Sequence, residues 1–377
     1  MQSDPNHPSP ITSRLARSVM FIAGEASGDA NAAGLIKALR SQAPDVQLFG
    51  VGGPKMREAG MELVLDLTEH AVVGLVEVLK KYRKFHRVFW QLVRESEKRR
   101  PDAVVLVDFP GFNLRFAAQM KKRGIKVVYY ISPQLWAWHA SRAKQIERDV
   151  DLMLTIFPFE KDWYAQHAPK LRVEFVGHPL AERIKDEGGR MKREEKLILL
   201  LPGSREREVA KIWPIMAEVV ECMPDDFQFA AAAVDARSAA MMKHPRVKVE
   251  VGKAQELMQR AALAITASGT ATMECAYFGC PMIVVYKVNW LTYLIGRMIV
   301  KVNWLAMPNV IAGREIVPEF IQYDAKPDRI SAVARGLLEN AAKRESMQRE
   351  LAAVVSSLGG PGASERAARL ILSKLSP

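Results

Sequence analysis

The chain alternates short apolar runs, rich in β-branched residues, with longer segments of helical periodicity, and this alternation restricts its fold more than any other feature. Such a pattern is typical of parallel strands joined by crossover helices. In the first half the predicted strands are residues 18–23, 46–51, 103–108, 126–131, 152–156 and 173–176. In the second half they are residues 197–201, 227–232, 247–251, 263–266 and 282–286. The sequence therefore predicts an α/β protein with two Rossmann-like halves in tandem.

A charged stretch separates the two series of strands. Residues 181–196 contain a pair of glycines and no apolar run, so we interpret them as a linker. A chain of 377 residues also exceeds the size at which one hydrophobic core stops growing. We therefore predict a first domain over residues 15–180 and a second over residues 197–355, facing each other across a cleft. Residues 356–377 follow as a C-terminal helix.

The balance of charge indicates anionic partners. Lys and Arg number 54 against 42 Asp and Glu, which gives a net charge of +12. Phosphorylated substrates, anionic lipid and nucleic acid all fit such a charge. The chain carries no zinc-finger spacing, RNA-recognition signature or long basic tail, so we predict no nucleic-acid partner.

The cysteines and the apolar runs indicate the compartment. Cys222, Cys275 and Cys280 are odd in number and lack CxxC spacing, which favours a reducing compartment and predicts neither a disulfide framework nor a zinc site. No run reaches the roughly 18 apolar residues that a bilayer span requires. We expect a cytoplasmic protein.

Ligands of open parallel sheets bind beyond the carboxyl ends of the strands, so the loops there are the candidate sites. After the first predicted strand, a glycine-rich turn offers Glu25, Ser27, Gly28 and Asp29 to the cleft. Glycines let a ligand approach backbone amides, although this turn is neither a GxGxxG nor a Walker loop. Ligand contact and a tight turn with Ser27 or Asp29 as the helix N-cap both stay open.

Asp108 ends the apolar run of residues 103–107 and begins the next loop. A carboxylate at the exposed end of a buried strand faces the cleft, where it can act in catalysis. A helix cap or an ion pair with an arginine explains the residue equally well.

Two loops of the second half are candidates for binding a phosphorylated ligand. Gly203 and Ser204 can present backbone amides to phosphate, and Arg205 adds a planar guanidinium that matches phosphate oxygens. A surface ion pair of Arg205 with the neighbouring glutamates is the alternative. The position of this loop in the predicted fold favours ligand contact.

The strongest signal is the segment of residues 267–274, which follows the predicted strand 263–266. Ser268, Gly269 and Thr270 are small, so a diphosphate can reach the helix N-terminus, where free amides and the helix dipole stabilise negative charge. Glu274 lies about one helical turn further, where its carboxylate can accept the hydroxyls of a ribose.

No metal site is predicted. Asp149 and Asp151 form a DxD pair, which in some proteins holds a divalent cation against a nucleotide diphosphate. Here the pair lies at the amino end of a predicted strand, on the wrong rim for a ligand, so we assign it a structural role.

Two amphipathic stretches are candidates for contact with lipid. In the first, Val72, Val73 and Leu75 form an apolar tip, and the helical pattern that follows carries the basic residues Lys80, Lys84 and Arg87. The second stretch covers residues 290–307. Ordinary core packing explains either stretch alone, but both together with the net charge favour attachment to an anionic membrane surface.

Six motifs occur in the order seen in lipid-A-disaccharide synthases, and the chain resembles this family from about residue 18 to residue 322. They are Gly24-Glu25-Ala26-Ser27-Gly28-Asp29, Ser132-Pro133 with Trp136-Ala137-Trp138, Gly177-His178-Pro179, Leu201-Pro202-Gly203-Ser204-Arg205, Ser268-Gly269-Thr270-Ala271-Thr272-Met273-Glu274 and Pro308-Asn309. Each motif is weak alone, but six in order are specific.

The resemblance implies a GT-B architecture and an inverting glycosyltransferase that needs no metal and no cofactor. The implied substrates are UDP-2,3-diacylglucosamine and 2,3-diacylglucosamine 1-phosphate, met at the inner face of the inner membrane. The resemblance also implies that Asp108 matches an essential acidic position in the acceptor half of the family. It implies that Arg205, Glu274 and Asn309 belong to the donor half. For residues 356–377 it implies exchange within a homodimer, and packing back on the first domain is the alternative.

Two other functions stay open from the residues themselves. A UDP-GlcNAc 2-epimerase shares the predicted fold and donor-site logic but needs neither an acceptor nor a membrane. A non-catalytic carrier of nucleotide or lipid would also fit the cleft and the charge.

Overall fold

The computed structural model describes residues 17–66, 75–184, 191–290, 293 and 302–375. The first sheet consists of β1 (Ser18–Ala23), β2 (Gln47–Gly52), β3 (Glu62–Asp66), β4 (Ala103–Val107), β5 (Lys126–Tyr130), β6 (Leu152–Thr155) and β7 (Val173–Phe175). Its strand order is β3-β2-β1-β4-β5-β6-β7, and every neighbouring pair is parallel. The order reverses between β1 and β4, so ligands are expected at the carboxyl ends of these two strands.

The second sheet repeats this arrangement. It consists of β8 (Glu194–Leu201), β9 (Gln228–Ala233), β10 (Val247–Val251), β11 (Ala261–Ala267), β12 (Met282–Tyr286) and β13 (Glu319–Ile321). The order is β10-β9-β8-β11-β12-β13, again with parallel pairs, and it reverses between β8 and β11. The two Rossmann-like halves predicted from the sequence are thus confirmed.

Helices connect the strands, as parallel pairing requires. In the first half they are α1 (Ala26–Gln42), α2 (Pro54–Glu58), α3 (Leu75–Arg99), α4 (Pro110–Lys122), α5 (Ala143–Asp149), α6 (Pro158–His167) and α7 (Leu180–Arg183). In the second half they are α8 (Glu206–Glu221), α9 (Ala236–Met241), α10 (Ala254–Arg260), α11 (Thr270–Tyr277), α12 (Met307–Ala312), α13 (Pro327–Glu339), α14 (Ala341–Ser357) and α15 (Ala363–Leu375).

The central strands are largely apolar because helices cover both faces of each sheet. All five residues of β4 and all seven residues of β11 are buried. Burial of apolar surface from two sides stabilises these strands by about 25 cal/mol for each Å² removed from water. The rims that carry the ligand loops therefore rest on rigid strands.

The C-terminal helix α15 packs against α1 of the first half. The segment that connects α14 to α15 passes beside Gly177, whose φ is +90°. A side chain there would begin 3.0 Å from the Leu358 carbonyl oxygen, so only glycine fits. Next to it, the His178 N–H donates to that carbonyl at 3.0 Å, and the Arg366 Nε donates to the Val176 carbonyl at 2.7 Å. The Gly177-His178-Pro179 motif thus marks the place where the chain crosses between the halves.

Candidate active site between the two sheets

The loops at the switch points of the two sheets face each other. Glu25 precedes α1 at the end of β1, and Arg205 precedes α8 at the end of β8. The Arg205 Nη2 atom lies 3.5 Å from the Glu25 Oε2 atom, although 180 residues separate them in sequence. Both side chains are largely exposed, so the pair bridges an open cleft and contributes at most about 1 kcal/mol. The structure thus brings one predicted residue from each half together.

Asp108 follows β4 and lies on the same rim, close to Glu25. Burial raises the pKa of the Asp108 carboxyl above its ordinary value, and the negative charge of Glu25 raises it further, while a hydrogen bond from the Phe109 N–H acts in the opposite direction. A carboxylate with a raised pKa is a stronger base. The chemistry that this position supports is acceptance of a proton from a ligand in the cleft.

Aromatic side chains from the segment that follows Asp108 pack on one another. Phe109 stacks on Phe112 with a centroid distance of 5.8 Å, and Phe112 stacks on Phe116 at 6.0 Å. Gly24 has no room for a side chain, because its Cβ would lie 2.4 Å from the Phe109 ring. These rings belong to the segment directly after Asp108, and burial is the first cause of the raised pKa of its carboxyl.

The amides at the start of α8 are used inside the protein. The Ser204 and Arg205 N–H groups donate to the Glu208 Oε2 atom at 3.3 and 3.4 Å. Gly203 has a φ of +120°, and a side chain there would meet Glu208 at 2.7 Å. Of the two amides that the sequence predicted for phosphate, that of Ser204 is therefore already bonded to the Glu208 carboxylate. The group that this loop offers the cleft is the Arg205 guanidinium, whose side chain is 71% exposed.

The start of α11 is arranged differently. Its N-cap is Gly269, and among the described residues no side chain caps it. A Cβ built on Gly269 meets no described atom within 4 Å. The Ser268 hydroxyl turns away from the helix and donates to the Leu305 carbonyl at 2.9 Å, and Thr270 is exposed. Open amides at a helix start attract an anion, so the start of α11 is a better candidate for a phosphate site than the start of α8.

Nearly the whole chain is similar to known proteins of one family. A family model described as lipid-A-disaccharide synthetase matches residues 19–372. A lipid-A-disaccharide synthase of Geobacter sulfurreducens is 39% identical, and the match covers 97% of this chain and 99% of that protein. One from Nitrosococcus oceani is 38% identical, with 95% and 96% covered. The chain belongs to the lipid-A-disaccharide synthase family.

Solved structures agree on the fold of this family member. A glycotransferase of kitacinnamycin aligns with a TM-score of 0.65 at 18% identity, covering 96% of this chain and 100% of the other. A structure from Listeria monocytogenes assigned as a UDP-N-acetylglucosamine 2-epimerase aligns with a TM-score of 0.64 at 14% identity, with 94% of each chain covered. At such identities the likeness concerns the fold alone. The architecture is GT-B, and the family makes the chain a glycosyltransferase.

The side chain of Asn309 forms hydrogen bonds within the protein. The residue is fully buried, and its Nδ2 atom donates to the Val317 carbonyl and to Glu319, both at 2.8 Å. Its Oδ1 atom accepts the N–H groups of Ile316 and Val317 at 2.8 and 2.9 Å. All four hydrogen-bonding positions of the amide are thus filled. The side chain therefore supports the loop before β13, and a contact of Asn309 with the donor stays a prediction.

Asp29 also has a structural use. Its carboxylate is buried and accepts the N–H groups of Gly53, Lys55 and Met56 at 2.9, 3.1 and 3.1 Å. Asp29 therefore caps α2 and neither faces the cleft nor caps its own helix. Of the other predicted residues in this loop, Ser27 is exposed and Gly28 is buried.

The DxD pair has the structural role predicted for it. Asp151 pairs with Lys121 and accepts the Val127 N–H at 2.9 Å. Asp149 pairs with Arg148 at 2.7 Å.

The predicted membrane residues are only partly within the described structure. Val72 and Val73 lie outside the described residues. Leu75, Lys80 and Lys84 belong to α3, but their side chains are outside the description, whereas Arg87 on the same helix is exposed. No helix in the described ranges is long and apolar enough to cross a membrane.

A buried polar network beside the cleft was missed by the sequence analysis. The Ser132 hydroxyl lies 2.9 Å from the Tyr164 hydroxyl, and the Trp136 indole donates to Glu160 at 3.2 Å. Burial raises the pKa of Glu160 to about 7, against hydrogen bonds from backbone N–H groups and the indole that favour its charged form. The network anchors the Ser132-Pro133 and Trp136-Ala137-Trp138 motifs to α6. The available signal was the position of Glu160 at the third residue of a helix, where a glutamate can accept N–H groups at the helix start, as Glu160 does from Ile156 and Phe157.

Proposed function

We propose that this chain transfers 2,3-diacylglucosamine from UDP-2,3-diacylglucosamine to 2,3-diacylglucosamine 1-phosphate. The products are the β-1,6-linked disaccharide 1-phosphate and UDP. Membership of the lipid-A-disaccharide synthase family supports this reaction. The residue assignment is supported mainly by the contact between Glu25 and Arg205 across the cleft. Glu25 is also close enough to Asp108 to raise its pKa, so the proposed base lies near the loops of the donor half.

The donor half supplies positive charge and open amides. We assign the diphosphate of UDP to the start of α11, where Ser268, Gly269 and Thr270 leave the helix N-terminus accessible. Glu274 lies one turn further and is half-buried, and we assign its carboxylate to the ribose hydroxyls. As the bond to UDP breaks, negative charge grows on the leaving oxygen. Arg205 and the α11 dipole stabilise that charge without a cation.

The acceptor half supplies the base. The 6-hydroxyl oxygen of the acceptor attacks C1 of the donor sugar on the face opposite UDP, so the C1–O6 bond forms as the bond from C1 to the phosphate oxygen breaks. The hydroxyl proton passes to the Asp108 carboxylate, and UDP leaves with the bonding electron pair. Attack from the opposite face inverts the anomeric centre and gives the β linkage.

Product analysis tests the function and the absence of a metal requirement together. Purified protein with both substrates is expected to form disaccharide phosphate and UDP in equal amounts, measured by mass spectrometry, and exhaustive EDTA treatment is expected to leave the rate unchanged. Loss of activity that Mg²⁺ or Mn²⁺ restores would contradict the metal-free assignment. Epimerised UDP-GlcNAc, or substrate binding without turnover, would instead support the epimerase or the carrier.

Both proposed substrates carry acyl chains, so we also propose that the protein works at the inner face of the inner membrane. The amphipathic stretch from Val72 to Arg87, which we call the basic face, supports this proposal through its charge. A homodimer formed by exchange of α15 is a further proposal, which sedimentation of the full chain tests.

Replacing Lys80, Lys84 and Arg87 of the basic face with serine is expected to weaken binding to vesicles that contain anionic lipid. Each basic residue near such a surface contributes about 1 kcal/mol, so the triple variant should bind on the order of 10²-fold more weakly at low salt. The difference should shrink at high salt because screening is stronger there. Vesicle sedimentation over a salt series measures both effects.

Lys196, Arg237 and Lys248 provide a matched control for this experiment. They are exposed in the second half, and their replacement by serine removes the same charge. Equal weakening in the control would mean that net charge alone attracts the protein to the vesicle. Unchanged binding of the test variant would exclude the basic face as the contact.

A further inference from the structure

Asp108 and Phe109 form an unusual turn at the end of β4. Their φ angles are +47° and +50°, so two consecutive residues with side chains adopt the left-handed conformation. That conformation costs roughly 1 kcal/mol or more for each residue that is not glycine. A turn of this kind persists only where surrounding contacts hold it, and it determines the direction in which the Asp108 side chain leaves the strand.

Two buried side chains hold the Asp108 backbone. The Tyr129 hydroxyl donates to the Asp108 carbonyl oxygen at 2.6 Å, and the Asn113 Nδ2 atom donates to the same oxygen at 2.7 Å. The Asp108 N–H in turn donates to the Tyr130 carbonyl at 3.1 Å. Both lone pairs of the Asp108 carbonyl are therefore engaged, which fixes the peptide plane after Asp108.

The bonds to the Asp108 backbone explain why these two buried side chains are polar. Tyr129 and Asn113 are both fully buried, where burying a polar group costs free energy unless it is hydrogen-bonded. An apolar side chain at either position would avoid that cost. The other bond of Asn113 runs to the Val107 carbonyl at 3.2 Å, the residue just before Asp108. The Asn113 Oδ1 atom has no hydrogen-bond partner among the described residues, so this amide is placed for what its nitrogen donates.

The Tyr129 hydroxyl stays a hydrogen-bond donor over the whole working range of pH. Burial raises the pKa of Tyr129 far above its ordinary value, and the charge of Asp108 raises it further. The neutral phenol therefore keeps its proton, and its bond to the carbonyl does not titrate together with the carboxylate.

We propose that Tyr129 and Asn113 are positioning residues, which hold the left-handed turn at Asp108–Phe109 and so aim the Asp108 carboxylate at the acceptor hydroxyl. This inference rests on the function proposed above for Asp108. It adds two residues that never touch substrate and act only through the backbone of the base.

Tyr129→Phe tests the inference, because it removes one oxygen and keeps the ring. The expected result is a kcat about tenfold lower with the KM of both substrates nearly unchanged, since one hydrogen bond of this kind accounts for about that factor. The acid limb of the kcat/KM profile should also move to lower pH. A loosened turn lets the carboxylate reach water, and burial is the main cause of its raised pKa.

Tyr164→Phe is the matched control. Tyr164 is also fully buried in the first half, and its hydroxyl bonds to Ser132 at 2.9 Å, so the variant loses a comparable bond that does not hold the Asp108 backbone. Both variants should show similar losses of thermal stability, but only Tyr129→Phe should change kcat and the acid limb. Normal kcat and an unmoved acid limb in folded Tyr129→Phe would overturn the inference, as would an equal loss of kcat in Tyr164→Phe.

Asn113→Ala provides the second measurement should Tyr129→Phe fail to fold. It is expected to lower kcat in the same way, and the double variant should lose less than the two single losses combined because both side chains hold one carbonyl. Normal turnover in Asn113→Ala counts against the inference. Disaccharide formation by the wild-type protein tests the proposed function independently of these variants. If the wild type forms the disaccharide and the variants turn over normally, the positioning role is wrong and the proposed function still holds.

Discussion

Asp108→Asn is expected to lower kcat by about 10²-fold or more, the usual contribution of a general base. The substitution keeps the shape of the side chain and loses the carboxylate that accepts the proton. UDP binding should hardly change, because the proposed nucleotide contacts lie in the other half. Steady-state kinetics with both substrates and UDP titration by calorimetry measure the two quantities separately.

The proposed role of Asp108 also predicts how the rate depends on pH. The pKa of Asp108 is raised, and only the deprotonated carboxylate can act as the base. Wild-type kcat/KM should therefore fall as the pH drops through a value above the ordinary range of aspartate. The residual activity of Asp108→Asn should lack that acid limb.

Asp151→Asn is the control for Asp108→Asn. Asp151 belongs to the same half, but its carboxylate serves the Val127 N–H and Lys121 at the opposite ends of the strands. This variant is expected to lose stability and to keep its turnover for each folded molecule. Near-normal turnover of Asp108→Asn would exclude the base role, and lost UDP affinity or a lowered melting temperature would return Asp108 to a structural one.

The central strands could be predicted from the sequence because burial on both faces makes most of their residues apolar. Every predicted strand is present, with slightly different bounds. The missed strands, β3 and β13, each lie at one edge of their sheet. Residues 62–66 of β3 carry a charged residue at each end, and β13 has only three residues. Neither segment has the longer apolar run that reveals a central strand.

The location of the site could also be predicted, but the use of each side chain could not. The carboxyl ends of parallel strands place Asp108 and Arg205 on facing rims whatever their detailed contacts. Asp29 and Asn309 show the limit of this reasoning. Asp29 binds the N–H of Gly53, and Asn309 fills its amide with bonds to the loop before β13. Such pairings depend on how separate loops pack, which no local spacing reveals.

The two helix starts of the second half show how a small difference separates a structural turn from a binding site. At α8, Glu208 supplies its own carboxylate to the Ser204 and Arg205 amides. At α11, Gly269 supplies no side chain and leaves open space. A diphosphate at α8 would have to displace Glu208 and meet its negative charge. We therefore propose the phosphate site at α11 and assign only the Arg205 side chain of the α8 loop to the donor.

Arg205→Ala is therefore expected to lower kcat by about 10² to 10³, the loss seen when one preorganised donor to developing negative charge is removed. The exposed pair with Glu25 cannot keep Arg205 from the donor, because a pair so exposed contributes at most about 1 kcal/mol. Arg205→Lys should recover part of the rate, since it keeps the charge and loses the planar fork.

The controls for Arg205→Ala separate charge stabilisation from simple binding. Arg207→Ala removes an exposed arginine from the same helix and should leave kcat unchanged. Glu274→Ala should instead raise the KM for the donor with little change in kcat, because ribose binding is shared by the ground and transition states. Should Arg205→Ala also raise only the donor KM, the guanidinium binds the donor equally in both states. Stabilisation of the leaving UDP would then rest on the α11 N-terminus alone.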